Sequence, residues 1–186
     1  MLSNYKIPGF LLVSLGGLFL STGGALFKLF ENQDVWTIYF WRSFFFTPAV
    51  LLFLFFTSKN QIIKKFKSLG LIGIICGALY ASGSGAYMFA MKYTTVANVL
   101  FIISTQTFML AIGGYFILKE KINISTAIAI IMASVGIYIM IGTKVSNGTM
   151  LGNSLAFVTP LCFTSIVMII RKYKQIDMVP AVALSG

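Results

Sequence analysis

AMKYTTVANVLFIISTQTFMLAIGGYFILKEKI, residues 90–122, is apolar enough at its centre to cross a bilayer, yet it carries Thr94, Thr95, Asn98, Ser104, Thr105, Gln106 and Thr107. Polar side chains are costly in hydrocarbon unless they face protein or water. With a turn of about 100° per residue and Asn98 as reference, Thr94, Thr105, Phe116 and Glu120 fall within roughly 40°, and Thr95, Gln106 and Gly113 within about 80°. The stretch therefore reads as a spanning helix with one polar side. Asn98, Thr105, Gln106 and Thr94 are expected to line a substrate pathway. Interhelical hydrogen bonds, at about 0.6 kcal/mol each in a membrane, explain one or two such groups better than a whole stripe.

The rest of the chain has the same character. Hydrophobic residues make up 58% and charged residues 10% of the 186, and the mean hydropathy is +0.93. Soluble domains carry about a quarter charged residues, so the chain is an all-α, polytopic membrane protein. The net charge of +10 does not point to nucleic acid, because the basic residues punctuate apolar runs of about twenty residues and act as topology signals. No histidine is present, which excludes HExxH metal sites and Ser-His-Asp triads within these residues. Cys76 and Cys162 both lie in apolar runs and read as small packing residues. Neither an enzyme nor a cofactor or metal is expected.

Working outward, the spans are expected at about residues 8–30, 35–57, 69–91, 93–118, 122–142 and 151–170, with a seventh beginning near residue 178. The first is a retained span rather than a signal peptide, since its apolar run continues without an A-x-A-like cleavage site. The third carries Gly73, Gly77, Ala81 and Gly85 at four-residue spacing, a small face that lets another backbone approach closely. Tyr80, Ser84, Tyr87 and Met91 form the neighbouring stripe and are candidates for the pathway. The second span contains Arg42, about 12 Å beyond Asp34 at 1.5 Å per residue. A central arginine costs on the order of 3 kcal/mol and should face protein or a water-filled cavity. The acids Glu31, Asp34, Glu120 and Asp177 all fall near span ends. Arg42 thus looks to backbone carbonyls, water, further spans or an anionic substrate group. Glu120 is expected to pair locally or to cap the fifth helix.

Placing the N-terminus in the cytoplasm puts Lys6, Lys59, Lys64, Lys65, Lys67, Lys119, Lys121, Arg171, Lys172 and Lys174 inside, against Lys28, Lys92 and Lys144 outside. Sliding the sequence by 143 residues sets Gly9 on Gly152, Ser21 on Thr164, Thr22 on Ser165, Lys28 on Arg171, Phe30 on Tyr173 and Asp34 on Asp177. An odd number of spans per unit makes such a repeat inverted. Residues 1–144 then form a first five-helix repeat and residues 145–186 the start of a second, truncated in its second helix. Beyond Gly186 about three and a half further spans are expected on this logic.

Arg42, the AMKYTTVANVLFI run of residues 90–102, Glu120 closing the fourth span and Gly136 in the fifth together resemble the EamA-type transporters of the drug/metabolite transporter superfamily. The resemblance implies ten spans in two inverted five-span repeats. It also implies a permease of the cytoplasmic (inner) membrane that moves a small metabolite by alternating access, such as an amino acid or a drug-like amphiphile. Glu120, Gly136, Gly73, Gly77 and Gly85 would then be structural positions. The fourth-span position usually held by proline is Thr107 here. Expected partners are the lipid bilayer and a small-molecule substrate, with a homodimer open; the alternative is a non-transporting helix-packing protein or an inactive truncated product.

Overall fold

A computed structural model of the chain describes residues 9–30, 32–58, 62–120, 124–142, 149–173 and 178–186. Among these the regular elements are all helices: α1 (Gly9–Leu29), α2 (Val35–Ser58), α3 (Ile62–Ser68), α4 (Gly70–Tyr93), α5 (Val96–Ser104), α6 (Gln106–Leu118), α7 (Ile124–Gly142), α8 (Met150–Lys172) and α9 (Val179–Leu184). The chain divides into two units, Met1–Asp34 and Val35–Gly186. The first contains α1, a helix of 21 residues and so about 30 Å long. The polar positions Lys6, Glu31 and Asp177 lie outside the described residues.

In the second unit, Val35–Thr57, Gly70–Tyr93, Val96–Leu118 and Met150–Lys172 are long and apolar enough to cross a membrane. The third of these joins α5 and α6. The helix bounds follow the apolar runs read from the sequence, with two differences. The basic loop after α2 contains a short helix, α3, which carries Lys64, Lys65 and Lys67 while half-burying Ile62 and Phe66. The fourth span is interrupted for one residue, at Thr105.

That interruption has a local cause. The Thr105 N–H donates to the Ile102 carbonyl at 3.1 Å, one residue short of the α-helical partner. Three hydroxyls turn back onto the chain here: Ser104 to Phe101 O at 2.6 Å, Thr105 to Ile102 O at 2.7 Å and Thr107 to Ser104 O at 2.8 Å. Side-chain donors of this kind satisfy carbonyls that an irregular helix leaves free, which is what permits irregular backbone at membrane depth. A hydroxyl cluster thus stands at the break, with Thr107 just beyond it.

α4 is the central element. Its most extensive contact is with α8, which also meets α5 and α6, while α9 lies against both α2 and α4. Close approach to α8 depends on Gly83, where an added methyl would sit 3.0 Å from the Cys162 Cβ. The Gly83 carbonyl also accepts a hydrogen bond from the buried Thr159 hydroxyl at 3.2 Å. On another face, a methyl at Gly77 would sit 3.1 Å from the Ala181 carbonyl oxygen of α9. Leu69, Cys76, Met178 and Ala181 close a buried apolar cluster at that end. The small stripe of α4 thus receives α9 and, at Gly85, the Tyr39 hydroxyl 3.8 Å from where a methyl would be. By contrast α7 is thinly covered, with Ile124, Ile131 and Met132 exposed. A methyl at Gly136 would meet nothing but the Phe101 ring tip, at 4.0 Å.

The second unit has two unlike ends. Tyr93, Thr94 and Thr149 gather at one, where Lys92 is the basic residue among those described. Lys64, Lys65, Lys67, Lys119, Arg171 and Lys172 lie at helix ends of the opposite parity.

Candidate functional site

α2 and α4 run antiparallel and meet along one face of each. Going down α2, Trp36 meets Phe89 edge-on at 5.1 Å, the Tyr39 hydroxyl donates to Ala81 O at 3.0 Å, Arg42 reaches Ser84 and Phe46 stacks on Tyr80 at 6.2 Å. The α2 positions advance by three or four while their partners run 89, 81, 84 and 80, lower overall as α2 advances, as two facing antiparallel stripes require. The other side of α2 carries Phe40, Trp41, Phe44 and Phe45, which are exposed and pack on one another. The aromatic opening of this span therefore divides between an inward and an outward face.

Between the facing stripes lies a shallow, open cleft lined by Tyr39, Arg42, Ser43, Phe46, Tyr80, Ser84 and Ser185. Arg42 sits seven residues into α2, about 10 Å from its start, and Ser84 nine residues from the end of α4, about 13 Å. Both are inside the hydrocarbon thickness if these helices span a bilayer. The Arg42 Nη1 donates to Ser84 Oγ at 2.7 Å. A hydroxyl is a neutral partner, so the charge is not compensated. The bond is worth about 1 kcal/mol against an insertion cost of about 3 for a central arginine. Among the described residues no aspartate or glutamate lines the cleft. Tyr80 forms the floor, stacked on Phe46 and edge-on to Phe163 of α8 at 5.3 Å. Tyr87, one turn from Ser84, is half-buried and within electrostatic reach of the guanidinium.

Of the residues singled out from the sequence, Arg42, Tyr80 and Ser84 come together here. Tyr39, Ser43, Phe46 and Ser185 were not singled out. Tyr39 and Phe46 lie three before and four after Arg42, the helical spacing that was the available signal, and Ser43 is its neighbour in the chain.

The polar residues of the fourth span stand elsewhere. Thr94 and Asn98 are buried at 9% and 4% exposure and are engaged with each other and with α8. The Thr94 hydroxyl donates to Asn153 Oδ1 at 2.8 Å, and Asn98 Nδ2 donates to Thr94 Oγ1 at 3.1 Å. Thr95 caps α5 by accepting from the Asn98 N–H at 3.2 Å. Beside this network Thr149 donates to Tyr93 O through its hydroxyl at 2.7 Å and its N–H at 3.1 Å. Gly152 packs onto the Tyr93–Thr94 peptide so closely that a methyl there would fall 2.6 Å from the Tyr93 carbonyl carbon. Thr105 is buried and bonded within its own helix, and Gln106 is half-buried. None of Thr94, Asn98, Thr105 and Gln106 lines the cleft.

At the opposite end, Lys119 adopts a left-handed conformation, φ 56°, and the Glu120 N–H donates back to Gly114 O at 3.1 Å. This closes α6 with a left-handed turn at its C-terminus. The Glu120 carboxylate then lies over Gly114, where a methyl would be 2.8 Å from Oε2. Among the described residues it pairs with Arg171 of α8, at 3.2 Å; Lys121 and the approach to α7 lie outside them. Among the described residues no group of His, Cys, Asp or Glu has a metal-binding arrangement.

The comparisons with known proteins agree with this architecture. Over 168 residues the chain is 26% identical to a protein of Clostridium kluyveri named an uncharacterized transporter; the match covers 87% of this chain and 53% of that relative. The chain thus spans about half the length of the curated relative it matches. No solved structure matches it. Residues 7–142, which run from the approach to α1 through the end of α7, match the EamA-like transporter family. A helical membrane chain with a charged cleft between two of its spans, matched over most of its length, belongs to the EamA-like transporter family.

Proposed function

We propose that the chain forms part of a permease that moves a small metabolite, such as an amino acid, a drug-like amphiphile or a related compound, across the cytoplasmic membrane by alternating access. The observation that carries this reading is the cleft at Arg42. An incompletely compensated guanidinium at mid-span depth, flanked by hydroxyls and aromatic rings, suits the brief holding of a small polar molecule. Contacts at the two ends of the α4–α8 pair supply the barriers: the Tyr93–Thr149 and Thr94–Asn153 bonds on one side, the Glu120–Arg171 pair on the other. Opening each in turn, as inverted repeats rock about a central site, would expose the cleft to alternate surfaces. The basic end bearing Lys64, Lys65 and Lys67 faces the cytoplasm on the positive-inside rule.

The test is a panel of radiolabelled metabolites offered to the complete gene product in liposomes, with Arg42→Gln and Ser84→Ala alongside. Uptake or exchange of at least one compound above empty liposomes is expected. Failure across the panel, while a control transporter works in the same vesicles, overturns the reading in favour of a helix-packing protein.

A further inference from the structure

α8 shows how the first helix of a repeat is seated. It runs antiparallel to α4. Gly152, near its start, packs on the Tyr93–Thr94 peptide at the end of α4, Cys162 lies beside Gly83, and Ile169 reaches the cluster of Leu69 and Cys76 at the α4 start. Under the 143-residue offset α8 is the second copy of α1. The buried α8 positions Gly152, Ala156, Thr159, Pro160, Cys162 and Ile166 fall on Gly9, Val13, Gly16, Gly17, Phe19 and Gly23. At about 100° per residue these positions lie within roughly 80° of Gly9, on one side of α1. Most of them are glycines. Glycine weakens a helix relative to alanine, and gathering it on one side of a span lets another backbone approach closely. Within its own unit α1 makes no use of that side: a methyl at Gly16, Gly17 or Gly23 would meet nothing within 4 Å.

We infer that the glycine side of α1 is an interface, occupied by the third span of the second repeat, the segment 143 residues after α4 in the complete gene product. The match to the curated relative covers 53% of that protein, which leaves length for such a span. Direction excludes a second copy of the chain as the occupant. Since α8 lies antiparallel on α4, α1 needs a partner that crosses in the sense opposite to its own. By span order α4 crosses in the same sense as α1, and the basic helix ends set every copy the same way up. The α4 of another copy therefore cannot receive α1 as this α4 receives α8. The third span of an inverted repeat crosses the other way and can. Each repeat then lends its first helix to the other, and the α4–α8 contact has a twin. The inference rests on the repeat and holds independently of the transport reading.

Disulfide trapping in the complete gene product, in native membranes, tests this. Gly83→Cys supplies the control, because its Cβ would lie 3.0 Å from that of native Cys162, close to disulfide spacing. With the other cysteines replaced by alanine, mild oxidation should join these two. The equivalent pair is Phe19→Cys with a cysteine placed 143 residues after Gly83. With all native cysteines replaced, this pair should link to a similar yield, read by mass spectrometry of the joined peptides from protein of monomer mass. Leu18→Cys with the same distant cysteine should not link, since Leu18 and its equivalent Leu161 are both exposed and Leu18 lies opposite Gly9 on the helix. Should the paired variant fail to fold, Gly16→Leu decides. Nothing in its own unit would meet the new side chain, so a lower unfolding temperature in detergent comes from a helix seated there, and an unchanged or raised one overturns the inference. No link at Phe19→Cys while the control links, an equal link from Leu18→Cys, a link confined to protein of dimer mass, or a complete gene product without that third span also overturns it.

Discussion

Gly152 and Gly83 both stand where α8 touches its neighbours, but they face different obstacles. A methyl at Gly152 would collide with the Tyr93–Thr94 backbone, whereas one at Gly83 would press on the Cys162 side chain at 3.0 Å. Backbone moves less readily than a side chain, so Gly152→Ala should destabilise by about 1–3 kcal/mol and Gly83→Ala by less. Gly70 is the useful comparison. Its φ is +53° and nothing lies near it, so Gly70→Ala should cost about 1–2 kcal/mol from backbone strain alone. Thermal unfolding of the three variants in detergent checks the order. An unfolding temperature for Gly152→Ala at or above that of Gly83→Ala would contradict it. At Glu120 the opposite holds. Its ion pair with Arg171 is 44% and 56% exposed, and exposed pairs contribute about 1 kcal/mol or less. Glu120→Gln should therefore leave the unfolding temperature nearly unchanged, and any larger effect on transport would come from gating.

The broken fourth span shows how far an element can be read before its neighbours are known. Its length and polar side were plain in residues 90–122, because apolar run length and helical phase are local properties. Which polar groups would face a pathway was not legible. Thr94 bonds across to Asn153, a partner 59 residues away, and Asn98 to Thr94, and nothing in the phase of one helix distinguishes a neighbouring helix from water. The position of the break was equally hidden, since a hydroxyl can project outward or turn back on its own carbonyls. Thr107 is the second residue of α6, in a first turn where the N–H has no intrahelical acceptor. Proline is tolerated there. Thr107→Pro should accordingly change stability by less than about 1 kcal/mol. Met109 donates its N–H to Thr105 O at 3.0 Å, and Met109→Pro should cost about 3 kcal/mol or more. Equal unfolding temperatures for the two variants would mean that α5 and α6 behave as one continuous helix.

For the molecule as a whole, apolar runs and basic clusters made the spans legible, while the packing of α4 was not. The four-residue stripe from Gly73 to Gly85 drew the eye, yet the broadest contact of α4 runs through Gly83 to α8, whose approach depends on side chains 76 residues away. Arg42 could be singled out because a lone charge in an apolar run is conspicuous; Ser84 became its partner only through the antiparallel register of α2 and α4. If the two ends of α4 and α8 open in turn, holding one shut should stop the cycle. Cysteines at Thr94 and Asn153, bridged by a short bifunctional reagent, are expected to abolish transport reversibly. Full activity in the bridged protein would sink the idea that this end opens.

The depth of Arg42 has an electrical consequence. A charge carried through the whole membrane field gains or loses about 2.3 kcal/mol per 100 mV. A rocking motion that shifts the cleft relative to that field moves the guanidinium through some fraction of it. An empty carrier would then return at a rate set by membrane potential, whereas a carrier whose ligand neutralises the guanidinium would move as a neutral pair. Exchange of ligand for ligand should be insensitive to voltage and net uptake sensitive to it, with the difference vanishing in Arg42→Gln.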